Sequence, residues 1–174
     1  MSLGLYLHIP YCFSKCRYCD FYSAPGQRGV PRAYVDALLR ELSRFAPDAP
    51  LRPDTLYFGG GTPSLLDPAD AARLIDAAQP LPGAEITLEA NPETVTEDSL
   101  RAFREAGVNR ISFGVQSARD SQLKTLGRPH TAKQARAAFA AARRAGFENL
   151  SGDIMLALPH YTQAEFDETL ELIE

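Results

Sequence analysis

The 174-residue chain has no tryptophan, only three cysteines and no long hydrophobic run. No stretch approaches the ~18 apolar residues of a membrane span, and the first residues lack the basic region and apolar run of a secretory signal. Acidic residues (22) outnumber lysine and arginine (18), giving a net charge of −4 and a pI near 5.4. This balance argues against a nucleic-acid partner. We therefore expect a protein of the reducing cytoplasm without a membrane span.

The three cysteines, Cys12, Cys16 and Cys19, lie within one short segment near the start of the chain. A disulfide would leave one thiol over. A four-iron cluster normally takes one thiolate per iron, so three cysteines would leave one iron free to bind a small molecule. A zinc site completed by His8 or Asp20 is an alternative, although the spacing differs from the usual paired Cys-x2-4-Cys arrangement.

Apolar strand-like runs alternate with amphipathic helical stretches along the whole chain. The predicted strands cover residues 3–9, 55–58, 85–90, 110–115 and 149–158. The first predicted helix carries an apolar stripe at residues 35–45 that ends in Phe45, and the second begins at Asp67-Pro68. Two further helices are predicted over residues 96–107 and 132–146. A capping box at 162–165 begins the fifth, with Phe166, Leu170 and Ile173 on one face. Five alternations predict right-handed crossovers and a parallel sheet. We therefore predict an α/β fold, a partial (β/α) barrel of the TIM type with about five β/α units.

Polar and glycine residues end the predicted strands, which is where β/α barrels carry their chemistry. The second strand runs into Gly59-Gly60-Gly61-Thr62-Pro63. Three glycines remove every Cβ, so we expect a ligand to lie against the peptide groups there. A simple strand-to-helix turn is the alternative.

Two carboxylates lie in otherwise apolar strands. Glu89 near the end of the third strand should have a cationic or hydroxyl partner, because an unpaired buried charge costs several kcal/mol. A salt bridge to an arginine is the plainest alternative for this residue. Asp153, beside Ile154 and Met155, is expected to be buried.

Other candidates are less specific. Gln116 follows the fourth strand, and Arg128 lies in a loop where it could pair bidentately with a carboxylate or simply be solvated. Tyr6 and Tyr18 could be core aromatics. His8 fits a hydrogen-bonded structural role, and His130 and His160 receive no role.

The segment Tyr6-Leu-His8-Ile-Pro10-Tyr-Cys12, the Cys-x3-Cys-x-aromatic-Cys loop and Asp20-Phe21 resemble the opening of radical S-adenosylmethionine (SAM) proteins. The resemblance is closest to the oxygen-independent coproporphyrinogen III oxidase-like branch, which includes the HemW-type haem chaperones. It implies that Cys12, Cys16 and Cys19 hold a [4Fe-4S] cluster. In that superfamily the unligated iron binds the amino and carboxylate groups of SAM, and an electron from the cluster breaks the sulfonium bond to give a 5'-deoxyadenosyl radical.

The resemblance also implies which residues contact SAM. They are Tyr6, Tyr18, Gly60, Gly61, Thr62, Glu89, Gln116, Arg128 and Asp153. The glycine segment matches a GGGTP motif that holds the methionine amino end of SAM. No residue is assigned a catalytic role beyond these contacts.

One departure separates two members of this branch. The dehydrogenases have a further cysteine two residues after the third ligand, where this chain has Phe21. Asp20-Phe21 resembles the haem chaperones, which implies a role in binding haem and delivering it to haem proteins. The alternative is a dehydrogenase that decarboxylates the propionates of coproporphyrinogen III, so whether the chain is an enzyme stays open.

The resemblance also sets expectations for the partners and the extent of the chain. The partners that it implies for this protein are haem or porphyrinogen, a low-potential electron donor and haem-accepting proteins. We expect residues 1–174 to be the N-terminal part of a radical SAM core domain, without the last barrel strand and the porphyrin-associated domain.

Overall fold

The computed structural model describes residues 2–46, 49–158 and 161–173. It contains five strands, β1 (Gly4–Ile9), β2 (Thr55–Gly60), β3 (Glu85–Ala90), β4 (Arg110–Gln116) and β5 (Asn149–Ile154). Every neighbouring pair is parallel, and the sheet order is β1-β2-β3-β4-β5. This sequential parallel order is that of a partial (β/α) barrel, which confirms the predicted fold class.

Helices follow the strands along the chain. They are α1 (Arg32–Phe45), α2 (Pro68–Ala78), α3 (Glu97–Glu105), α4 (Asp120–Leu126), α5 (Ala132–Arg144) and α6 (Gln163–Ile173), with 3-10 turns at Pro63–Leu65 and Pro92–Thr94. The Asp67 side chain accepts from the Ala69 N–H at the start of α2. Capping boxes begin α3 and α5. Such caps satisfy N–H groups that have no partner within the helix.

The core lies between the sheet and the helices. Its largest fully buried side chains include Leu56 and Phe58 of β2, Leu88 of β3 and Phe113 of β4. Helices α2 and α3 contribute Leu74, Leu100 and Phe103 to the same core. The described part of the chain contains no helix that is both long and apolar enough to cross a membrane.

Two expectations about the ends of elements were wrong. Phe45, predicted to continue the apolar stripe of α1, is 78% exposed because the helix ends there. Strand β5 ends at Ile154, four residues before the predicted end. In α6 the predicted face is half-buried at Phe166, Leu170 and Ile173, and Thr169 and Leu172 are buried beside it.

Candidate functional site

A cavity of about 420 Å³ lies at the carboxyl ends of the strands. This volume is within the range of about 300–1,000 Å³ that is usual for small-molecule sites. Its lining includes every site residue predicted from the sequence except Tyr6. Parallel strands in sequential order bring these distant residues together, because all the carboxyl ends face the same edge of the sheet.

The cysteine segment forms one wall of this cavity. The Cys12 N–H donates to the Ala24 carbonyl at 3.0 Å, and the Arg17 N–H donates to the Leu126 carbonyl at 3.0 Å. Lys15 Nζ donates to the Phe21 carbonyl at 2.7 Å and so closes the loop on itself. These bonds anchor the loop at both sides without any disulfide, since all three thiols are free.

The three free thiols fit an iron–sulfur cluster better than a single zinc ion. Within the described ranges, no three Cys, His, Asp or Glu side chains form a group that could hold one metal ion. A four-iron cluster spaces its ligands more widely, because each thiolate binds a different iron. His8 does not complete a zinc site, since its Nε2 pairs with the Tyr22 carbonyl at 3.0 Å and its Nδ1 with the Tyr6 hydroxyl at 3.1 Å.

The three glycines at the end of β2 pack closely against other parts of the chain, and Gly60 and Gly61 also line the cavity. A Cβ at Gly59 would lie 2.7 Å from the Tyr6 ring, and one at Gly60 would lie 2.7 Å from the His8 ring. A Cβ at Gly61 would lie 2.7 Å from the Tyr11 carbonyl and 3.0 Å from Cys12 Sγ. Protein atoms therefore occupy the space that the missing side chains leave. The glycines allow β1 and the cysteine segment to pack closely against β2.

Glu89 has the hydroxyl partner that its sequence position required. Tyr57 donates to Oε1 at 2.8 Å, and the Gly60 N–H donates to Oε2 at 3.0 Å. The salt bridge to an arginine is not found among the described residues. Burial raises the pKa of Glu89, although the bonds from Tyr57 and Gly60 oppose the rise. Burial and the bond to Glu89 also raise the pKa of Tyr57, which therefore remains a donor at neutral pH.

Arg128 contacts an amide, a backbone carbonyl and a thiol, and no carboxylate among the described residues pairs with it. Its Nη2 donates to Asn91 Oδ1 at 2.7 Å and to the Gly114 carbonyl at 2.5 Å. Its Nη1 contacts Cys16 Sγ at 3.6 Å. A Cβ at Gly114 would lie 2.9 Å from the guanidinium, so this glycine leaves the space in which Arg128 meets Asn91.

Gln116, Asp153 and Tyr18 complete the cavity wall. Gln116 has a positive φ of 68° at a bulge between β4 and β5, a strained conformation that is common at functional sites. Asp153 is exposed rather than buried as predicted, and it accepts from Ser112 Oγ at 3.3 Å. Burial raises the pKa of Tyr18 to about 12, while Arg128 lowers it.

Sequence reasoning placed Tyr6 in the site and overlooked two other residues. Tyr6 is 54% exposed and stacks on Tyr57 with 6.0 Å between ring centroids, so it supports the cavity rather than lining it. Tyr57 and Asn91, which were not predicted, both line the cavity. Asn91 could have been suspected because it directly follows β3. Tyr57 lies within a strand and has no such signal.

His130, which received no role from the sequence, is buried behind the cavity. Its Nε2 pairs with the Val115 carbonyl at 3.1 Å, and its Nδ1 lies 3.3 Å from Glu93 Oε2. It therefore ties the loop carrying Arg128 to β4 and to the turn after β3. His160 lies outside the described residues.

Comparison with known proteins gives consistent matches. The family model described as the radical SAM superfamily matches residues 6–173. The "Heme chaperone HemW" of Escherichia coli is 43% identical over 169 residues, which cover 94% of this chain and 45% of that protein. The protein of the same name in Bacillus subtilis is 36% identical over 172 residues, covering 95% of this chain and 45% of that protein.

A solved structure extends the match to the fold. The structure titled "Coproporphyrinogen III oxidase (HemN) from Escherichia coli is a Radical SAM enzyme" has a TM-score of 0.86 and 31% sequence identity, covering 98% of this chain and 41% of that one. The chain thus spans slightly less than half the length of the relatives it matches.

Proposed function

Because the chain belongs to the radical SAM superfamily, we propose that it is a haem chaperone which binds haem and transfers it to haem proteins. The superfamily implies a [4Fe-4S] cluster and SAM. The alternative within the same branch is an oxygen-independent coproporphyrinogen III dehydrogenase. The two functions share the cluster and differ in whether the porphyrin is cargo or substrate.

Cys12, Cys16 and Cys19 are the proposed cluster ligands. Their thiols are free, line one cavity and lie in a loop fixed by backbone bonds on both sides. When bound and reduced, such a cluster supplies the electron that cleaves the sulfonium bond of SAM. The loop holds three thiolates in position before the metal binds, which lowers the conformational entropy lost on binding.

The proposed SAM site is the rest of the cavity wall. Glu89, Asp153 and Gln116 present acceptor groups, which suit the ammonium and hydroxyl groups of SAM. Tyr18 supplies an aromatic face, and the segment Gly60–Thr62 supplies backbone. Arg128 contributes a cationic charge beside Cys16 of the cysteine loop. Tyr6 acts indirectly by supporting Tyr57.

Two observations favour the chaperone over the dehydrogenase. Phe21 occupies the position of the dehydrogenases' further cysteine, and relatives with the chaperone's name match over nearly the whole chain. Phe21 is 69% exposed and lines the cavity, so this position offers apolar surface instead of a thiol. The similarity to the oxidase structure supports the alternative more weakly, because its identity of 31% is lower.

The deciding experiment follows the fate of the porphyrin. The chain, reconstituted anaerobically with iron and sulfide, is titrated with haem by absorbance and then mixed with an apo-haem protein. In parallel, it is incubated with SAM, a reductant and coproporphyrinogen III, and the products are separated by chromatography. We expect haem binding and transfer without vinyl products. SAM-dependent release of carbon dioxide with formation of vinyl groups would establish the dehydrogenase instead, and bound haem that is not passed to the apoprotein would contradict the chaperone.

The SAM site has its own test in Asp153→Asn. This change keeps the shape of the side chain and removes the negative charge at the cavity, so SAM should bind at least several-fold more weakly while the iron content stays unchanged. Calorimetry on the reconstituted chain measures the affinity. Asp167→Asn on the exposed face of α6 is the matched control. Unchanged affinity in the Asp153 variant would remove this residue from the site.

A further inference from the structure

A continuous chain of hydrogen bonds joins two of the three cysteines. Arg128 contacts Cys16 Sγ through Nη1 at 3.6 Å and donates to Asn91 Oδ1 through Nη2 at 2.7 Å. Asn91 Nδ2 donates to Thr62 Oγ1 at 3.1 Å. Thr62 Oγ1 in turn donates to Cys12 Sγ at 3.5 Å. Four loops, following β1, β2, β3 and α4, therefore meet in one network.

The guanidinium of Arg128 fixes the direction of this series of hydrogen bonds. Arginine carries only donors and does not lose its proton in proteins. The Asn91 carbonyl oxygen must therefore face Arg128, which turns the amide N–H of Asn91 toward Thr62. The Thr62 oxygen accepts that bond, so its single proton is left to point at Cys12 Sγ.

We propose that Asn91 is a positioning residue with two effects on the proposed cluster ligands. It holds the guanidinium of Arg128, which donates to Cys16 Sγ, and it transmits the donor direction to Thr62, which donates to Cys12 Sγ. The burial of the far end supports this role, since Thr62 is 2% exposed and Cys12 is 7% exposed. With so little access to water, the Thr62 proton has few other partners. Hydrogen bonds to cluster sulfurs are one of the main determinants of reduction potential.

The physical consequence is a higher potential than bare thiolates would give. Each donor stabilises negative charge on sulfur, and the reduced cluster carries more of that charge, so donors favour reduction. The inference rests on the proposed cluster ligation by these cysteines. It adds a role for Asn91 that depends on neither the SAM site nor the identity of the porphyrin.

Asn91→Asp tests the direction of the hydrogen bonds with almost no change in the shape of the side chain. Aspartate would accept from both Arg128 and Thr62, so the Thr62 proton would turn away from Cys12. Thr62→Val removes the same bond without adding charge. The measurement is the midpoint potential of the reconstituted chain, followed by electron paramagnetic resonance during redox titration, with iron content determined for each variant.

We expect both single changes to lower the potential, and Thr62→Val to cause no further shift when Asn91→Asp is already present. A simple charge effect of the new aspartate predicts additive shifts instead. Thr62→Ser should retain the parent potential. Thr169→Val, which removes a buried hydroxyl that bonds to the Ala118 N–H, is the control and should leave the potential unchanged.

The outcomes distinguish this inference from the proposed function. If Thr62→Val leaves the potential unchanged, or lowers it equally in the parent and in the Asn91→Asp variant, the proposed series of hydrogen bonds is wrong while the cluster assignment stands. If the parent chain holds no cluster, the ligand assignment fails and the inference fails with it.

Discussion

Among the individual residues of the cavity, Cys16 is the proposed cluster ligand that also contacts Arg128. Cys16→Ala would leave two thiolates, and the chain has no other cysteine to replace the third. We expect reconstitution to yield almost no stable cluster, measured as iron and sulfide per chain. Ser14→Ala in the same loop is the control and should keep the parent's iron content. Full iron retention in the Cys16 variant would contradict the proposed ligand set.

Glu89 allows a prediction of pH dependence at the same scale. Its pKa in the folded chain is raised, chiefly by burial, so the folded chain keeps this proton to a higher pH than the unfolded chain does. The stabilisation is fully present below the ordinary pKa of about 4.3 and is lost as the pH rises through the raised value. The free energy of unfolding should therefore fall over this window, and Glu89→Gln should remove that part of the fall.

Urea unfolding of the cluster-free chain at a series of pH values checks this expectation. Glu171→Gln removes an exposed carboxylate from α6 and serves as the control. Its pH profile should run parallel to that of the parent. A parallel profile for Glu89→Gln would show that the buried carboxylate does not contribute to the pH dependence.

Sequence reasoning predicted many of the residues that line the cavity but not their partners. Spacing and strand position brought out the cysteines, Glu89 and Arg128, because such residues are unusual in those places. The contacts of Arg128 with Asn91 and of Glu89 with Tyr57 join loops and strands that are distant in sequence. Which donor meets which acceptor depends on the register of the sheet, and no local pattern encodes that register.

At the scale of elements, Gly61 joins β2 to the cysteine segment. A Cβ there would lie 2.7 Å from the backbone carbonyl of Tyr11, which cannot swing aside as a flexible side chain could. We expect Gly61→Ala to destabilise the chain by about 1–3 kcal/mol, as overpacking usually does, and to reduce iron retention by displacing Cys12. Urea unfolding and iron analysis measure the two effects.

Gly29→Ala is the matched control for this change. Its added Cβ would have the Leu65 carbonyl at 3.9 Å as its nearest neighbour, which is ordinary contact. We expect unfolding and iron content close to those of the parent. If Gly61→Ala behaved in the same way, the close packing of the two segments would not matter for the site.

Elements with strong local signals were predicted, and those without them were missed. An apolar run predicts strand β3, and an N-cap followed by proline predicts the start of α2. Helix α4 has only seven residues and was not predicted, because a helix of two turns shows too little periodicity. Its C-terminal end nevertheless receives the backbone bond from Arg17 that fixes the cysteine loop.

At the scale of the whole molecule, the cavity is built by residues that lie in, or directly after, the carboxyl-terminal parts of all five strands. A ligand bound there contacts groups that are far apart in the unfolded chain, so it should bind the folded state alone. Stability would then rise with ligand concentration, by about 2.7 kcal/mol at one hundred times the dissociation constant. For SAM, the superfamily implies that the cluster supplies part of the binding.

We therefore expect SAM to raise the thermal unfolding midpoint of the reconstituted chain more than that of the cluster-free chain. Anaerobic thermal unfolding at increasing SAM concentration, with methionine as the control ligand, measures both shifts. Asp153→Asn should reduce the shift in the reconstituted chain, since it weakens the protein's own contribution. Equal shifts with and without the cluster would mean that SAM binds to the protein wall alone, and the open iron would then have no part in holding it.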